Sequence, residues 1–479
     1  MSEEFEVMIP GAISTGDKLT VVAPWDLTPI AEVPVASAAD VDRALNTAYQ
    51  IFRDRDRWLP IPKRIDILEK TAELMQQQAE YLALEAAREG GKPLLDSRIE
   101  VTRAIDGVKN CVEVLRTESG REIPMGLNAS SQNRLAFTHK EPIGVVVAVS
   151  AFNHPLNLIV HQVGPAIAAG CPVIVKPAED TPLSCFRFVQ ILREAGLPEE
   201  YCQACAVSDH SVAEKLVTDE RVGFFSFIGS GRVGWMLRSK LAAGARCALE
   251  HGGVAPVIID STADLDDTLP LIAKGGFYHA GQVCVSVQRV FAPRSMAHEV
   301  AERLASFACE MKIGDPTLES TEVGPLIKTH EVDRVKSWVD AAIDEGATKV
   351  CGGNALSETS YECTVLLEPS SSSQISTQEI FGPAVCVYGY DDVNQAITQA
   401  NSLPYAFQAS VLTQNLDFGL HCSRRLDAAT VMINDHTAFR VDWMPFAGIR
   451  QSGLGVGGIP YTFEDMQIDK QIVIRSKHL

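Results

Sequence analysis

No run of eighteen apolar residues occurs in this chain. The richest apolar segment, GVVVAVSAFNHPLNLIV, is interrupted by Asn153, His154, Pro155 and Asn157, which excludes it as a membrane-spanning helix. A leader is also missing: the opening MSEEFEVMIP is acidic and has no basic stretch followed by an apolar core, so no secretory signal is read and a cytoplasmic location is expected. Positive charge is in short supply, with 42 Lys and Arg against 61 Asp and Glu for a net of −19, which disfavours nucleic acid or an anionic membrane as partner. An anionic substrate would have to be drawn in by local basic residues against that field. Cysteine is not scarce, but its twelve residues lack the spacing of a disulfide framework and point to reduced thiols. Cys202 and Cys205 form a C-x-x-C without the second pair a zinc ribbon needs, so they are read as core residues and no metal site is expected. Internal repeats and low-complexity linkers are absent apart from the short SSSS at 370–373.

What remains is the composition of a globular enzyme, 46% hydrophobic and 22% charged, in a chain of 479 residues that is too long for one core. Near the start, Val41, Ala44, Leu45, Ala48, Ile51 and Phe52 fall at helical spacing behind a Ser37/Asp40 start signal. A longer helical pattern runs from Pro62 to about Glu89 and stops at Gly90-Gly91. From residue 144 the texture changes to short β-branched runs, GVVVAVS, PVIVK, GFFSFIG and PVIID, separated by amphipathic segments such as PLSCFRFVQILREAG. This alternation predicts an α/β fold with a parallel sheet covered on both faces. It resumes after Asp260, with helices near 266–280 and 295–310, and implies a second α/β domain. NASSQNRLAFTHK, before residue 141, and the closing KQIVIRSKHL read as strands outside the main alternation.

The residues that carry chemistry stand at the ends of these strands, where α/β folds place ligand sites. Asn153 follows the first run, and an asparagine there can also cap or turn. Lys176 and Glu179 follow the second; taken alone they are as well read as a solvated pair. FIGSGRVG leaves a strand at Ile228 and sets Gly229, Gly231 and Gly234 in a G-x-G-x-x-G pattern at a helix start, a loop that lets backbone N–H groups approach a pyrophosphate. Glu250 precedes two glycines in LEHGGVAP, Cys284 lies in GQVC, Glu379 and Phe381 lie in QEIFGPAV, and PFAGIRQSGLG spans 445–455.

Each of these motifs is modest alone. In this order and at these separations they resemble the aldehyde dehydrogenase superfamily over essentially the whole chain. The resemblance implies a Rossmann-type dinucleotide-binding domain from 1–121 and 142–252, an α/β catalytic domain from 253–445, and small oligomerisation segments at 122–141 and 446–479 that join a homodimer or homotetramer. It implies Cys284 as nucleophile, Glu250 as general base and Asn153 as side-chain donor to an oxyanion. Lys176, Glu179, Gly229, Ser230, Gly234, Glu379 and Phe381 fall on positions that hold the dinucleotide. The residue types suit the chemistry. A thiolate adds readily to an aldehyde carbonyl, preorganised N–H donors stabilise the tetrahedral oxyanion, and a carboxylate takes a proton from the water that hydrolyses the thioester. Glu250 is generally missing from members that pass the acyl group to coenzyme A, so a free acid is the expected product. Glu179 falls where a carboxylate meets the adenine-ribose hydroxyls and would repel a 2′-phosphate, so NAD is expected ahead of NADP; Arg232, in the phosphate loop, is the residue that would favour the latter.

Departures from the family pattern bear on the substrate. EHGGV stands where ELGGK is common, which places His251 beside Glu250, either tuning it or serving as a hydrogen-bonded structural imidazole. Ala447 replaces a glycine. Positions that line the aldehyde tunnel, often aromatic in enzymes for apolar aldehydes, carry His154, His161 and Arg440. Two imidazoles and a guanidinium suit a small polar or anionic aldehyde; alternatively Arg440 pairs with Asp435 or Asp442. The combination resembles the branch with lactaldehyde, glyceraldehyde-type, phosphonoacetaldehyde and sulfoacetaldehyde dehydrogenases. A semialdehyde dehydrogenase for a longer carboxylated substrate, and a non-catalytic dinucleotide-binding protein on the same fold, are the competing readings.

Overall fold

The computed structural model describes residues 3–12 and 16–479. Its first sheet has six strands in the order Gly453–Leu454, Arg246–Glu250, Val222–Ile228, Val145–Val149, Val173–Lys176, Cys202–Ala204. All neighbours are parallel except the short Gly453–Leu454, which is antiparallel to Arg246–Glu250. The β-branched runs form strands because both faces are covered: Val145, Val146, Val147 and Ala148 have no exposed surface. Cys202 and Cys205 are both buried, in the two separate apolar clusters that cover the sheet.

The helix Ala38–Arg53 starts with the expected capping box, in which Ser37 and Asp40 satisfy each other's backbone N–H groups. The helical pattern after Pro62 resolves into two helices, Ile61–Gln77 and Ala79–Gly90, broken at Gln78. No glycine or proline marks that break in the QQQAE stretch. A third helix, Leu94–Thr117, reaches across to helix Asn157–Ala169, whose first N–H groups are capped from a distance: Glu100 accepts from the backbone of Leu156 and Asn157 at 2.9 Å each. Glu89 does the same for helix Leu183–Glu194, accepting from Leu183 at 2.7 Å and Ser184 at 2.9 Å. Burial pushes its carboxyl up to about 8 despite those bonds.

The second sheet has seven strands in the order Thr348–Cys351, Thr364–Leu367, Ala384–Tyr390, Arg289–Pro293, Pro256–Ile259, Gln408–Leu412, Thr430–Ile433, and only the first is antiparallel to its neighbour. Its own core includes Leu269, Phe277, Phe291 and Val385, each side chain contributing about 1.5–3 kcal/mol by leaving water. A third sheet pairs Gln467–Arg475 antiparallel with Arg134–Pro142 over nine residues, with Glu122–Ile123 beside it. Of residues 446–479, only Gln467–Arg475 joins this small sheet. Gly453–Leu454 completes the six-stranded sheet, and helix Ile459–Asp465 packs on Asn157–Ala169. Among the described residues no helix is long and apolar enough to cross a membrane.

Candidate active site

Cys284 is presented by a tight turn. Tyr278–Gly281 form a 3-10 turn in which His279 (φ 51°), Ala280 (φ 53°) and Gly281 (φ 69°) all take left-handed backbone conformations. The buried side chain of Gln282 pins this turn. Its amide donates to the carbonyls of His279 and Pro325 at 3.2 Å each, and its oxygen accepts from the Ile327 N–H at 2.9 Å. The Gln282 carbonyl in turn accepts one N–H of Asn153 at 2.9 Å, and an amide nitrogen carries two donors.

Asn153, Glu250 and Cys284 therefore line one cavity of about 50 Å³, together with His154, Arg440 and Phe446. Burial pushes the Cys284 thiol up to about 12; the carboxylates of Glu379 and Glu250 push the same way, and Arg440 opposes them. The Glu250 carboxyl is likewise raised by burial and lowered by Arg440. It sits at the end of strand Arg246–Glu250, with its carboxylate packed where a side chain on Gly457 would stand. A raised carboxyl and a raised thiol facing a cation form a pair between which a proton can move as charge develops.

A second cavity of about 310 Å³ continues outward and shares Arg103, His154, Tyr278, Ala438 and Arg440 with the first. His154 is half-buried on the shared wall. Its Nε2 lies 2.9 Å from the Tyr278 hydroxyl, and burial together with Lys92 and Arg103 keeps the imidazole neutral. His161, expected on the wall, does not line either cavity: it is 3% exposed and lies behind Arg440. Its position in the middle of helix Asn157–Ala169, buried at every residue, turns the ring toward Asp442. Nε2–H donates to the Asp442 carboxylate at 2.6 Å, and Nδ1 accepts from Arg440 Nη2 at 3.2 Å. This arrangement requires a neutral ring, and burial and Arg440 push its pKa down to about 4.

Arg440 does not pair directly with Asp435 or Asp442. Asp442 is taken by Arg103, which donates to both its oxygens at 2.8 and 3.1 Å. Lys92 pairs with Glu100, and Lys274 with Asp96 at 2.8 Å. Among the described residues Arg440 has no carboxylate within 4.0 Å; its guanidinium lies 3.6 Å over the Phe446 ring and its buried Nε has no hydrogen-bond partner. Arg103 escaped sequence reading because it stands on an ordinary amphipathic helix, 339 residues from its partner Asp442.

The third element is a cleft of about 640 Å³ lined by Ser230, Gly231, Arg232, Trp235, Glu379 and Tyr405 among others. Ser230 is the N-cap residue of helix Gly231–Arg238, yet its hydroxyl makes no capping bond, and a Cβ on Gly231 would come no closer than 3.6 Å to any atom, so the helix start is open to the cleft. Gly229 and Gly234 do not line it. A side chain on Gly229 would meet the Phe227 ring at 2.9 Å, and one on Gly234 would overlap the His251 ring, so these glycines serve packing beneath the loop. His251 Nδ1–H donates to the Gly229 carbonyl at 2.9 Å, and its ring sits 5.7 Å from both Phe227 and Trp235. It is thus a hydrogen-bonded structural imidazole. Glu379 is half-buried, its carboxyl pushed up to about 8 by the loss of solvent around it, and its Oε1 lacks a partner among the described residues. Lys176 ends a strand two positions along the same sheet from Val222–Ile228, its ammonium 3.8 Å from Glu179. Phe381 has a left-handed backbone (φ 44°) and packs edge-on against Phe152 at 5.9 Å.

The whole arrangement is matched by known proteins. The model of the aldehyde dehydrogenase family matches residues 12–472. A 3-sulfolactaldehyde dehydrogenase from Priestia megaterium is 35% identical over 462 residues, covering 96% of each chain. Aldehyde dehydrogenase 21 from Physcomitrella patens, solved with its reaction product succinate, superposes with a TM-score of 0.95 at 32% identity over 99% of both chains. A glyceraldehyde-3-phosphate dehydrogenase from Methanocaldococcus jannaschii, solved with NADP, gives a TM-score of 0.91 at 32% identity, covering 96% of this chain and 99% of that one. With this match over nearly its full length, the chain belongs to the aldehyde dehydrogenase family and is an oxidoreductase that acts on aldehyde groups with a nicotinamide dinucleotide.

Proposed function

We propose that this enzyme oxidises a small aldehyde carrying a single negative charge to its carboxylic acid, with NAD as the preferred cofactor. The observation that carries the reading is Arg440, a cation on the wall shared by both cavities with no carboxylate of its own. The surrounding charges cancel in pairs: Arg103 with Asp442, Lys92 with Glu100, Lys274 with Asp96. One uncompensated guanidinium matches one anionic group. The relatives fit this reading, since one is named for a sulfonated aldehyde and another holds a dicarboxylate product. The bound succinate also favours a second reading, a semialdehyde with a longer carboxylated chain whose anionic end reaches the outer cavity.

In this reading the Cys284 sulfur adds to the aldehyde carbon as its proton moves to Glu250 or water. The oxyanion that forms is met by the second N–H of Asn153 and the Cys284 backbone N–H, each worth a few kcal/mol. Ser230 and the open helix start would hold the pyrophosphate, Glu179 the adenine ribose, Lys176 and Glu379 the rest of the dinucleotide, whose unpartnered Glu379 oxygen and open cleft fit that role. When bound, the dinucleotide supplies the hydride acceptor that turns the adduct into a thioester. Glu250, as carboxylate, then takes a proton from the water that releases the acid. Twelve free cysteines fit a reducing cytoplasm. The separate cores fit the division into a dinucleotide-binding and a catalytic domain. Exposed Val473, Ile474 and Ile433 favour a homo-oligomer joined through 122–141 and the final strand.

Arg440→Leu tests the reading. KM for a sulfonated or carboxylated short aldehyde should rise at least tenfold while a neutral hydroxyaldehyde of the same size is little changed, about the loss of one charge-assisted contact. An equal change for both would refute it.

A further inference from the structure

Three buried side-chain atoms of residues lining the cavity at Cys284 have no hydrogen-bond partner among the described residues: Arg440 Nε, His251 Nε2 and Asn157 Oδ1. Their neighbours on that wall are engaged: Asn153 bonds the Gln282 carbonyl, His154 bonds Tyr278, and Arg103 bonds Asp442. Arg440 is the cation already assigned to the anionic end of the substrate. His251 Nε2 is turned under the glycine loop, where a Cβ on Gly234 would lie 2.7 Å from it. That leaves Asn157.

Asn157 opens helix Asn157–Ala169, is 2% exposed, and has its backbone N–H held by Glu100 at 2.9 Å. Its amide can stand only one way round. Asp442, paired with Arg103, is a carboxylate and can only accept, so the amide nitrogen is the atom 3.2 Å from Asp442 Oδ1 and the oxygen is the atom left over. A buried acceptor without a donor is destabilising, and a ligand that brings an O–H or N–H removes that penalty. Arg103 and Arg440 line the same cavity, which disfavours an ammonium and leaves a hydroxyl.

We propose that Asn157 is a specificity-determining residue whose Oδ1 accepts the O–H of a hydroxyl on the carbon next to the aldehyde, so that the substrates are short 2-hydroxy aldehydes of one configuration. This deepens the aldehyde reading given above and rests on it. The cavity, at about 50 Å³, takes the aldehyde carbon at Cys284 and little more than the carbon attached to it, while Arg440 stands where the outer cavity begins. Val283, Val285 and Phe446 form one apolar cluster, with Ala438 packed on it, and supply much of the remaining wall. A hydroxyl turned to them would lose its hydrogen bonds, whereas a hydrogen atom would not. With the carbonyl held at Cys284, the anionic end at Arg440 and the hydroxyl at Asn157, the mirror-image substrate cannot meet all three.

The test measures kcat/KM of wild type and Asn157→Leu with short aldehydes that share a sulfonate end, one carrying a 2-hydroxyl, as each enantiomer, and one carrying hydrogen there. Wild type should prefer one hydroxy enantiomer over the deoxy compound by about tenfold or more, because the deoxy compound leaves Oδ1 unpaired. Leucine should bring that ratio within about threefold and shrink the enantiomer preference, and comparing ratios cancels the intrinsic reactivity of the two aldehydes. A second measurement needs no variant: as competitive inhibitors of wild type, the 2-hydroxy acid should bind about tenfold tighter than the deoxy acid. Equal kcat/KM or equal inhibition for the hydroxy and deoxy compounds, or an unchanged ratio in Asn157→Leu, would overturn the proposal and leave the anionic-aldehyde reading standing. Absence of turnover with every sulfonated aldehyde would overturn both.

Discussion

Replacing Asp442 with asparagine keeps the shape of the side chain and removes its charge. Asp442 is 2% exposed and accepts from Arg103, His161 and Asn157, so its loss as an anion leaves Arg103 facing a neutral group. Breaking a buried pair costs about 3–5 kcal/mol, but Arg103 is 23% exposed and asparagine still accepts a hydrogen bond, so we expect about 2 kcal/mol. For a chain of this length that corresponds to a fall of roughly 2 °C in melting temperature. Burial works against the charged form of Asp442, but hydrogen bonds from His161 and Arg103 and their charges outweigh it and hold the carboxyl far below its usual range. A depressed carboxyl stabilises the fold fully above its unfolded value of about 4 and loses that stabilisation as pH falls toward its folded value. The gap between wild type and Asp442→Asn should therefore be constant from about pH 5 to 8 and narrow below about pH 4. The substitution also acts on substrate. Asp442 lies beyond Arg440 across the His161 ring, and for a substrate charge on the order of 10 Å away, at an effective dielectric of about 20, removing its repulsion is worth up to about 2 kcal/mol for each added charge. Phosphonate dianions should then gain about tenfold in kcat/KM relative to sulfonate monoanions. Thermal melts across pH and a matched substrate pair measure both effects. An unchanged melting temperature together with an unchanged dianion ratio would refute the charge tally.

Glu250→Gln should allow a burst of NADH and then stall with an acyl group on Cys284, visible by intact mass; in wild type, the hydrolytic step should quicken as pH rises through the raised pKa of Glu250. Steady turnover by the variant would remove Glu250 from deacylation. Asn153→Ala should lower kcat by about 10²–10³ with little change in KM for NAD, as expected for one lost oxyanion donor; a loss below threefold would contradict that role. Glu179→Gln should narrow the preference for NAD by raising kcat/KM with NADP, read from the ratio of the two cofactors. An unchanged ratio would assign the preference elsewhere.

Much of the frame was legible because its signals are local. The Ser37/Asp40 capping box, the four β-branched runs and the turn at Gly229 each follow from residues within a few positions of one another. Bringing Asn153, Glu250 and Cys284 together needed the fold, since the Gln282 carbonyl that anchors Asn153 is 129 residues away. The glycine loop was read correctly as a strand-to-helix turn, but two of its glycines serve the packing of Phe227 and His251, a demand no local pattern carries. His161 was misplaced for the same reason: a histidine four residues after Asn157 marks a helix face, and only the position of Asp442 decides that the ring turns away from the cavity. Arg103 gave no signal, because an arginine on an amphipathic helix is ordinary until a carboxylate from a distant loop meets it.

The most direct measurement is NADH formation by the wild-type enzyme with three short aldehydes of equal chain length, bearing a neutral hydroxyl, a sulfonate or a phosphonate. The account predicts the highest kcat/KM for the sulfonate, with the neutral and dianionic members each lower by about tenfold or more. Equal or better turnover of the neutral aldehyde would contradict it and leave Arg440 without a ligand.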